Sequence, residues 1–201
     1  MLFLAAPVSP IVLGQTVVCF WQGGFMGAHQ DQMRGFARYN REFNLALFSK
    51  AAELDDGQRK RDMGAFFGSI HGTLNHILLA DRIWLGRFAE AIPDISALGD
   101  AKLVYEFSSL SQEVCSDFDE LRHERKATDG VISAWVEELT DELLAQTMRY
   151  SNSNGQLREH PVWVAAAHMF NHQTHHRGQV TTLLSQLGLD PGVTDYFAYV
   201  K

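Results

Sequence analysis

Apolar residues recur at three- and four-residue intervals over several long stretches, the signature of helices with one buried face. Met33, Phe36, Ala37, Phe43, Leu47 and Leu54, with Asn40 on the same face, predict a first helix over residues 31–54. Asp55, Asp56 and Gly57 end it, and a polar link over 58–62 follows. Residues 66–88 predict a second helix. There Ile70, Leu74, Ile77, Leu78, Ile83, Trp84 and Leu85 leave little polar circumference, so the helix belongs deep in the fold. Pro93 closes that region, and 91–101 read as a loop. A third helix is predicted over 103–138 from Leu110, Val114, Phe118, Leu121, Val131, Ile132, Trp135 and Val136, with a kink point at Asp129 and Gly130. Its other side carries Asp119, Glu120, Arg122, Glu124, Arg125 and Lys126, a run that reads as a solvated face.

The period then changes. Thr140 opens a short capped helical turn. Met148, Arg149 and Tyr150 are separated from Gln156, Leu157 and Arg158 by Asn152, Ser153, Asn154 and Gly155, a turn-rich spacing that predicts a small β-hairpin. Pro161 suits the first turn of a long final helix, and Gly188 suits its stop. The tail from Asp190 to Lys201 carries Tyr196, Phe197 and Tyr199, which are available to dock on the bundle. The predicted fold is all-α, a helical bundle with a small β-hairpin before the last helix.

Residues 1–30 stand apart. Lys and Arg are missing from Met1 to Met33, and two apolar runs are broken by Pro7 and Pro10. The stretch has neither the positive start of a secretory signal nor the roughly 20 unbroken apolar residues of a spanning helix. It reads as a poorly packed extension from a misassigned start, with Met26 or Met33 as the natural one, ahead of a single domain over 31–201.

Composition narrows the function. A formal charge of −7 without a Lys/Arg cluster argues against nucleic acid, and membrane attachment has no support. Cys19 and Cys115 are far apart and in no metal-binding spacing, as expected of reduced thiols in a cytoplasmic protein. The unusual feature is nine histidines, of which His168, His172, His175 and His176 crowd the last helix. At about 100° per residue, His176 lies about 40° to one side of His172, while His168 and His175 lie about 40° and 60° to the other. Met169, Val180, Leu183 and Leu187 share the sector of His172 and His176, so these two rings project from the buried face. Two imidazoles four residues apart can reach one ion, and a metal would satisfy both buried nitrogens. A third ligand has candidates in His71, His76 and His160. His71 and His76 point about 140° apart, so at most one faces the last helix. Spacing leaves open His71 against His76, and His175 against His176. His29 and His123 fall in the doubtful extension and on the charged face.

Asn171, His172, His175, His176, Arg177, Gly178 and Gln179, followed by Leu183, Leu184, Leu187 and Gly188, resemble the last-helix signature of the DinB-like family of metalloenzymes (a name shared with an unrelated DNA polymerase). The run from Gly68 to Leu85 resembles its second helix, and Tyr39, Asn40 and Asn44 its first. The resemblance spans about residues 33–200 and departs where many relatives carry Trp in place of Phe43. It implies a four-helix bundle of up-down-down-up type, often homodimeric, with one divalent metal ion held by His76, His172 and His176. His76 is selected because it precedes the Ile77–Asp81 run leading to Trp84, and His176 because it precedes Arg177, Gly178 and Gln179.

Three imidazoles leave a tetrahedral ion one open position, as in catalytic sites. Zinc or nickel is expected first, with iron or copper as alternatives. Some relatives transfer low-molecular-weight thiols, so the resemblance implies a metal-activated thiolate attacking a small molecule. The alternatives are a metal-dependent hydrolase and a non-catalytic metal- or ligand-binding stress protein. Gln179, His175, Asn75 and Asn44 are candidates for supporting the ligands or facing substrate. Gln179, about 20° from His172 on the helix wheel, is the best placed. Arg177 points about 140° away and is expected in a structural ion pair. Zinc-protease chemistry is disfavoured, because Gln173 follows His172 where that chemistry needs a glutamate base.

Overall fold

The computed structural model describes residues 27–200. The expected loose packing of the N-terminal extension therefore lies, up to residue 26, outside the described residues, as does Cys19. Helical structure begins at Ala28, three residues earlier than the apolar pattern predicts.

Four long helices form the body: α1 (Ala28–Ala51), α3 (Ile70–Ala91), α4 (Phe118–Glu138) and α6 (Val162–Gln186). Shorter elements join them: α2 (Asp56–Lys60), a turn of 3-10 helix (Ser96–Leu98), α5 (Asp141–Ala145), strands β1 (Thr147–Ser151) and β2 (Leu157–Pro161), and α7 (Tyr196–Tyr199). No helix among the described residues is long and apolar enough to cross a membrane.

Helix α1 packs beside α4 and α6, and α3 packs beside the same two, so α1 and α3 are diagonal. Side-chain pairs give the directions. Asn44 and Arg34 of α1 meet Asp129 and Glu137 of α4, an antiparallel pair, whereas Phe36 and Asn40 meet Phe170 and Arg177 of α6, a parallel one. Likewise α3 runs parallel to α4, through Asp81 to Arg125 and Phe88 to Trp135. It runs antiparallel to α6, through Trp84 to His168 and His76 to His176. In chain order the four run up, down, down, up.

The helix ends follow local chemistry. Asp55 and Gln58 form a capping box, so the polar link becomes α2. Ser69 accepts from Gly72 N at 3.0 Å, starting α3 four residues later than predicted and freeing Phe66 and Phe67 for a preceding turn. Thr140 caps α5 as expected. β1 and β2 pair antiparallel, with Thr147 opposite Pro161 and Ser151 opposite Leu157. Pro161 is both the last residue of β2 and the N-cap of α6. Past α6, Gly188 takes φ +80°, a left-handed conformation that costs glycine no Cβ clash. Tyr196 and Tyr199 dock edge-on against Tyr39.

The third helix is shorter than predicted. Residues 103–117 are irregular, and α4 begins only at Phe118, after the cap Asp117, whose side chain accepts from Glu120 N at 2.8 Å. Asn75 Oδ1 accepts from Val114 N at 2.8 Å and Cys115 N at 2.9 Å. These bonds take the amides that a continuing helix would have used. Asp129 and Gly130 lie inside α4 without interrupting it.

Two apolar clusters fill the bundle. One gathers Met33, Trp84, Phe88, Trp135 and Met169, and the other Leu47, Leu74, Leu78, Phe118, Leu121 and Leu184. A buried polar belt lies at the level between them, made by Asn40, Asn44, Asp81, Arg82, Glu124, Arg125, Asp129 and Arg177. The reading of 119–126 as one solvated face is therefore corrected. Asp119, Glu120, Arg122 and Lys126 are exposed, but Glu124 and Arg125 turn inward. Arg125 binds Asp81 and lies 2.8 Å from Asp129, while Glu124 pairs with Arg82 and with Lys102 at 2.6 Å. The expected ion pair of Arg177 also takes another form. Its guanidinium bonds to Asn40 Oδ1, and Asn40 Nδ2 donates to Asp129 at 3.0 Å, so a neutral amide relays the charge.

Candidate metal centre

The antiparallel packing of α3 on α6 sets His76 level with His172 and His176. His76 Nε2 lies 3.1 Å from His172 Nε2, and His176 Nε2 lies 3.0 Å from the same atom. One ligand atom from each ring falls within 4.8 Å of the others, a set able to hold a metal ion. His71, a turn and a half back along α3, is turned away, with Nε2 2.9 Å from the carbonyl of Cys115. His160 lies on β2, beside Tyr150, and His175 is exposed.

Two of the three tautomers are set by neighbours. His76 Nδ1–H donates to the Leu110 carbonyl at 2.8 Å, and His176 Nδ1–H donates to Gln179 Oε1 at 2.8 Å. In each neutral ring Nε2 then carries a lone pair, and both lone pairs face His172. A single proton on His172 Nε2 would have to be shared between them. His172 Nδ1 is meanwhile buried without a hydrogen-bond partner among the described residues. Three neutral imidazole nitrogens fit a divalent ion well. With metal–nitrogen distances of about 2.0–2.1 Å, a tetrahedral centre separates its nitrogens by roughly 3.4 Å, a few tenths more than found here.

Surroundings keep the rings neutral. Phe67 stacks on His76 with centroids 3.7 Å apart and planes 16° apart, and meets His176 edge-on at 5.4 Å. Burial lowers His76 from 6.5 to about 4 and His172 from 6.5 to about 3, and it also lowers His176. The unfolded chain takes up these protons near pH 6.5, so below that pH it binds more protons than the folded chain. The metal-free protein is therefore expected to lose stability as pH falls from about 6.5 toward 4. Urea midpoints for chelated protein should drop steadily between pH 7.5 and pH 4.5, and more steeply than in a His76→Phe/His172→Phe variant. Equal slopes would refute this.

The remaining candidates fall in different places. Gln179 touches His176 directly, and His175 touches Gln179, at 3.3 Å between Nε2 atoms. Asn75 sits beside His76 in the chain but faces the 103–117 loop, accepting from Val114 and Cys115 and donating to the Cys115 carbonyl at 3.0 Å. It thus helps hold the loop that presents Leu110. Asn44 is not brought to the histidines; it donates to both oxygens of Asp129, at 3.0 and 3.1 Å. Phe67 and Leu110 are absent from the sequence-derived candidates. Leu110 acts through its backbone carbonyl, which no residue pattern reveals. Phe67 precedes the helix whose histidine it covers.

A family model described as the DinB family matches residues 26–201. Protein DinB of Bacillus subtilis (strain 168) is 24% identical over 170 residues, covering 81% of this chain and 90% of that protein. The crystal structure of a DinB-like protein from Bacillus cereus ATCC 10987 superposes with a TM-score of 0.53 at 22% identity, covering 75% of this chain and 90% of its own. That likeness bears on the fold alone.

Proposed function

Because the chain belongs to the DinB family, we propose that it is a divalent-metal-dependent enzyme that transfers a low-molecular-weight thiol to a small electrophile. The observation that carries the metal part is the meeting of three Nε2 atoms, two of them left as lone pairs by hydrogen bonds at Nδ1. A bound zinc or nickel ion would lower the pKa of a thiol or water at its open position to near neutrality. The protein's own part is orientation. The Leu110 carbonyl and Gln179 fix two rings, and Phe67 shields them from bulk water.

Metal analysis of protein purified without a histidine tag tests the reading. About one zinc or nickel ion per chain is expected, with metal-dependent consumption of an alkyl or aryl halide by a small thiol. Stoichiometric metal with hydrolysis of esters or amides instead would favour a hydrolase. Tight metal with no turnover would favour a binding protein, and no stoichiometric metal would sink every metal-dependent reading.

Gln179 supplies a quantitative check. Removing a partner that orients a ligating histidine typically costs 10–100-fold in metal affinity. Gln179→Ala should weaken metal binding by about that factor in a competition titration with a chromophoric chelator, and Gln179→Glu, which keeps the acceptor, should recover most of it. Unchanged affinity in Gln179→Ala would show that this hydrogen bond does not tune the site.

A further inference from the structure

Arg87 lies on the same face of α3 as His76, about three turns nearer the C-terminus and rotated by only about 20°. Its guanidinium sits 4.6 Å over the Trp84 ring and 4.7 Å over the Tyr150 ring, and Nη2 donates to the Ser151 carbonyl at 3.1 Å. These contacts hold it in place without neutralising it. Among the described residues no carboxylate lies within 4.0 Å of it, and Glu90 acts on it only at longer range. Two buried arginines of the polar belt differ, while the third, Arg177, is committed to Asn40. Arg82 has Glu124, and Arg125 has Asp81 and Asp129. A half-buried, aromatic-stacked guanidinium without an acid is a ready receptor for an anion.

What separates Arg87 from the histidines is a cavity. It has a volume of about 230 Å³ and an apolar wall of Ile83, Trp84 and Phe107, with His76 and His172 at one end and Arg87 at the other. Eleven residues of helix span about 16 Å, and the arginine leans back over Trp84, so roughly 10 Å lies between the guanidinium and the imidazoles. With a contact of about 3 Å at each end, roughly 4 Å remains, which suits a chain of about four or five atoms from end to end.

We propose that this cavity binds a small molecule with an apolar body and a terminal carboxylate, the carboxylate pairing with Arg87 while the opposite end reaches His76 and His172. The assignment rests on the metal reading for what happens at the histidine end, but not for the choice of an anion. Ile83, Trp84 and Phe107 exclude water along the body, which strengthens the Arg87 pair. Ser153, at the hairpin turn, and His168, with its ring 5.0 Å from that of Trp84, supply neutral polar groups along the wall.

The test uses mercaptopropanoate, five atoms from sulfur to carboxylate oxygen, and its neutral amide, in which the thiol is common to both and only the far end differs. Each is titrated into cobalt-loaded protein, read by the thiolate-to-cobalt absorption band, and into chelator-treated protein, read by calorimetry. Wild type should bind the acid at least about 10-fold more tightly than the amide, the effect of one charge-assisted hydrogen-bonded pair. Arg87→Met, which keeps the aliphatic stem, should erase that preference and leave amide binding in place. Equal affinities in wild type overturn the proposal without recourse to any variant, as does a preference that survives in Arg87→Met. A chain that takes up no cobalt yet shows the Arg87-dependent preference would sink the metal reading and leave this one standing. Cobalt binding without the preference would do the reverse.

Discussion

Replacing His172 with alanine is expected to abolish stoichiometric metal binding, whereas replacing His175 should spare most of it. His172 Nε2 is the atom common to both short contacts, 3.1 Å to His76 and 3.0 Å to His176. Without it, two nitrogens from two different helices remain, too few for a site that leaves a coordination position open. Affinity should fall by more than the 10–100-fold typical of losing a supporting partner. His175 is exposed, and its contact runs to Gln179 rather than to the cluster. Its removal should therefore change affinity by no more than the Gln179→Ala substitution does. Titration of both variants with zinc or cobalt, under circular dichroism to confirm helicity, decides the matter. Indistinguishable behaviour would refute the assignment of His172 as a ligand and His175 as a bystander.

The largest effect on stability is expected at Arg125. This guanidinium is buried between Asp81 and Asp129 and contacts both carboxylates at the level between the two apolar clusters. Arg125→Ala leaves two acids whose side chains are buried away from bulk solvent. Breaking a buried pair from one side typically costs about 3–5 kcal/mol, because the abandoned charge has nowhere to go. For a chain of this size that corresponds to a melting temperature lower by roughly 10 °C. Lys126→Ala, one residue away on the exposed side, should stay within about 0.5 kcal/mol. Urea unfolding of the two variants measures the contrast, and an Arg125→Ala loss below about 1 kcal/mol would show that the belt is not what holds the helices in register.

The Arg125 case shows where sequence reading stops. Glu124 and Arg125 are chemically indistinguishable from Asp119, Glu120 and Lys126 within the charged run. Their inward orientation becomes meaningful only because α3 places Asp81 and Arg82 opposite them. A helical wheel marks a face but does not say that the facing helix carries a complementary charge. The over-long third helix has a similar origin. Leu110 and Val114 keep a helical period, yet the amides of 114 and 115 are claimed by Asn75 from another helix. Local propensity was overruled by a tertiary hydrogen bond.

The histidines divide along the same line. That His172 and His176 share the buried side of the last helix was readable from their spacing, because a helix turns by a constant angle whatever surrounds it. The long helices were readable for the same reason, and the hairpin and the proline and glycine that bound the last helix were readable from turn and cap preferences that act within a few residues. Spacing could not choose His76 over His71; the family resemblance chose it, and the packing gives the physical cause. Helix α3 lies antiparallel to α6 at a height that brings residue 76 opposite 172 and 176, and leaves 71 beside the carbonyl of Cys115. The relative height of two helices is set by the interlocking of side chains along both, and the order of residues in either one alone does not contain it.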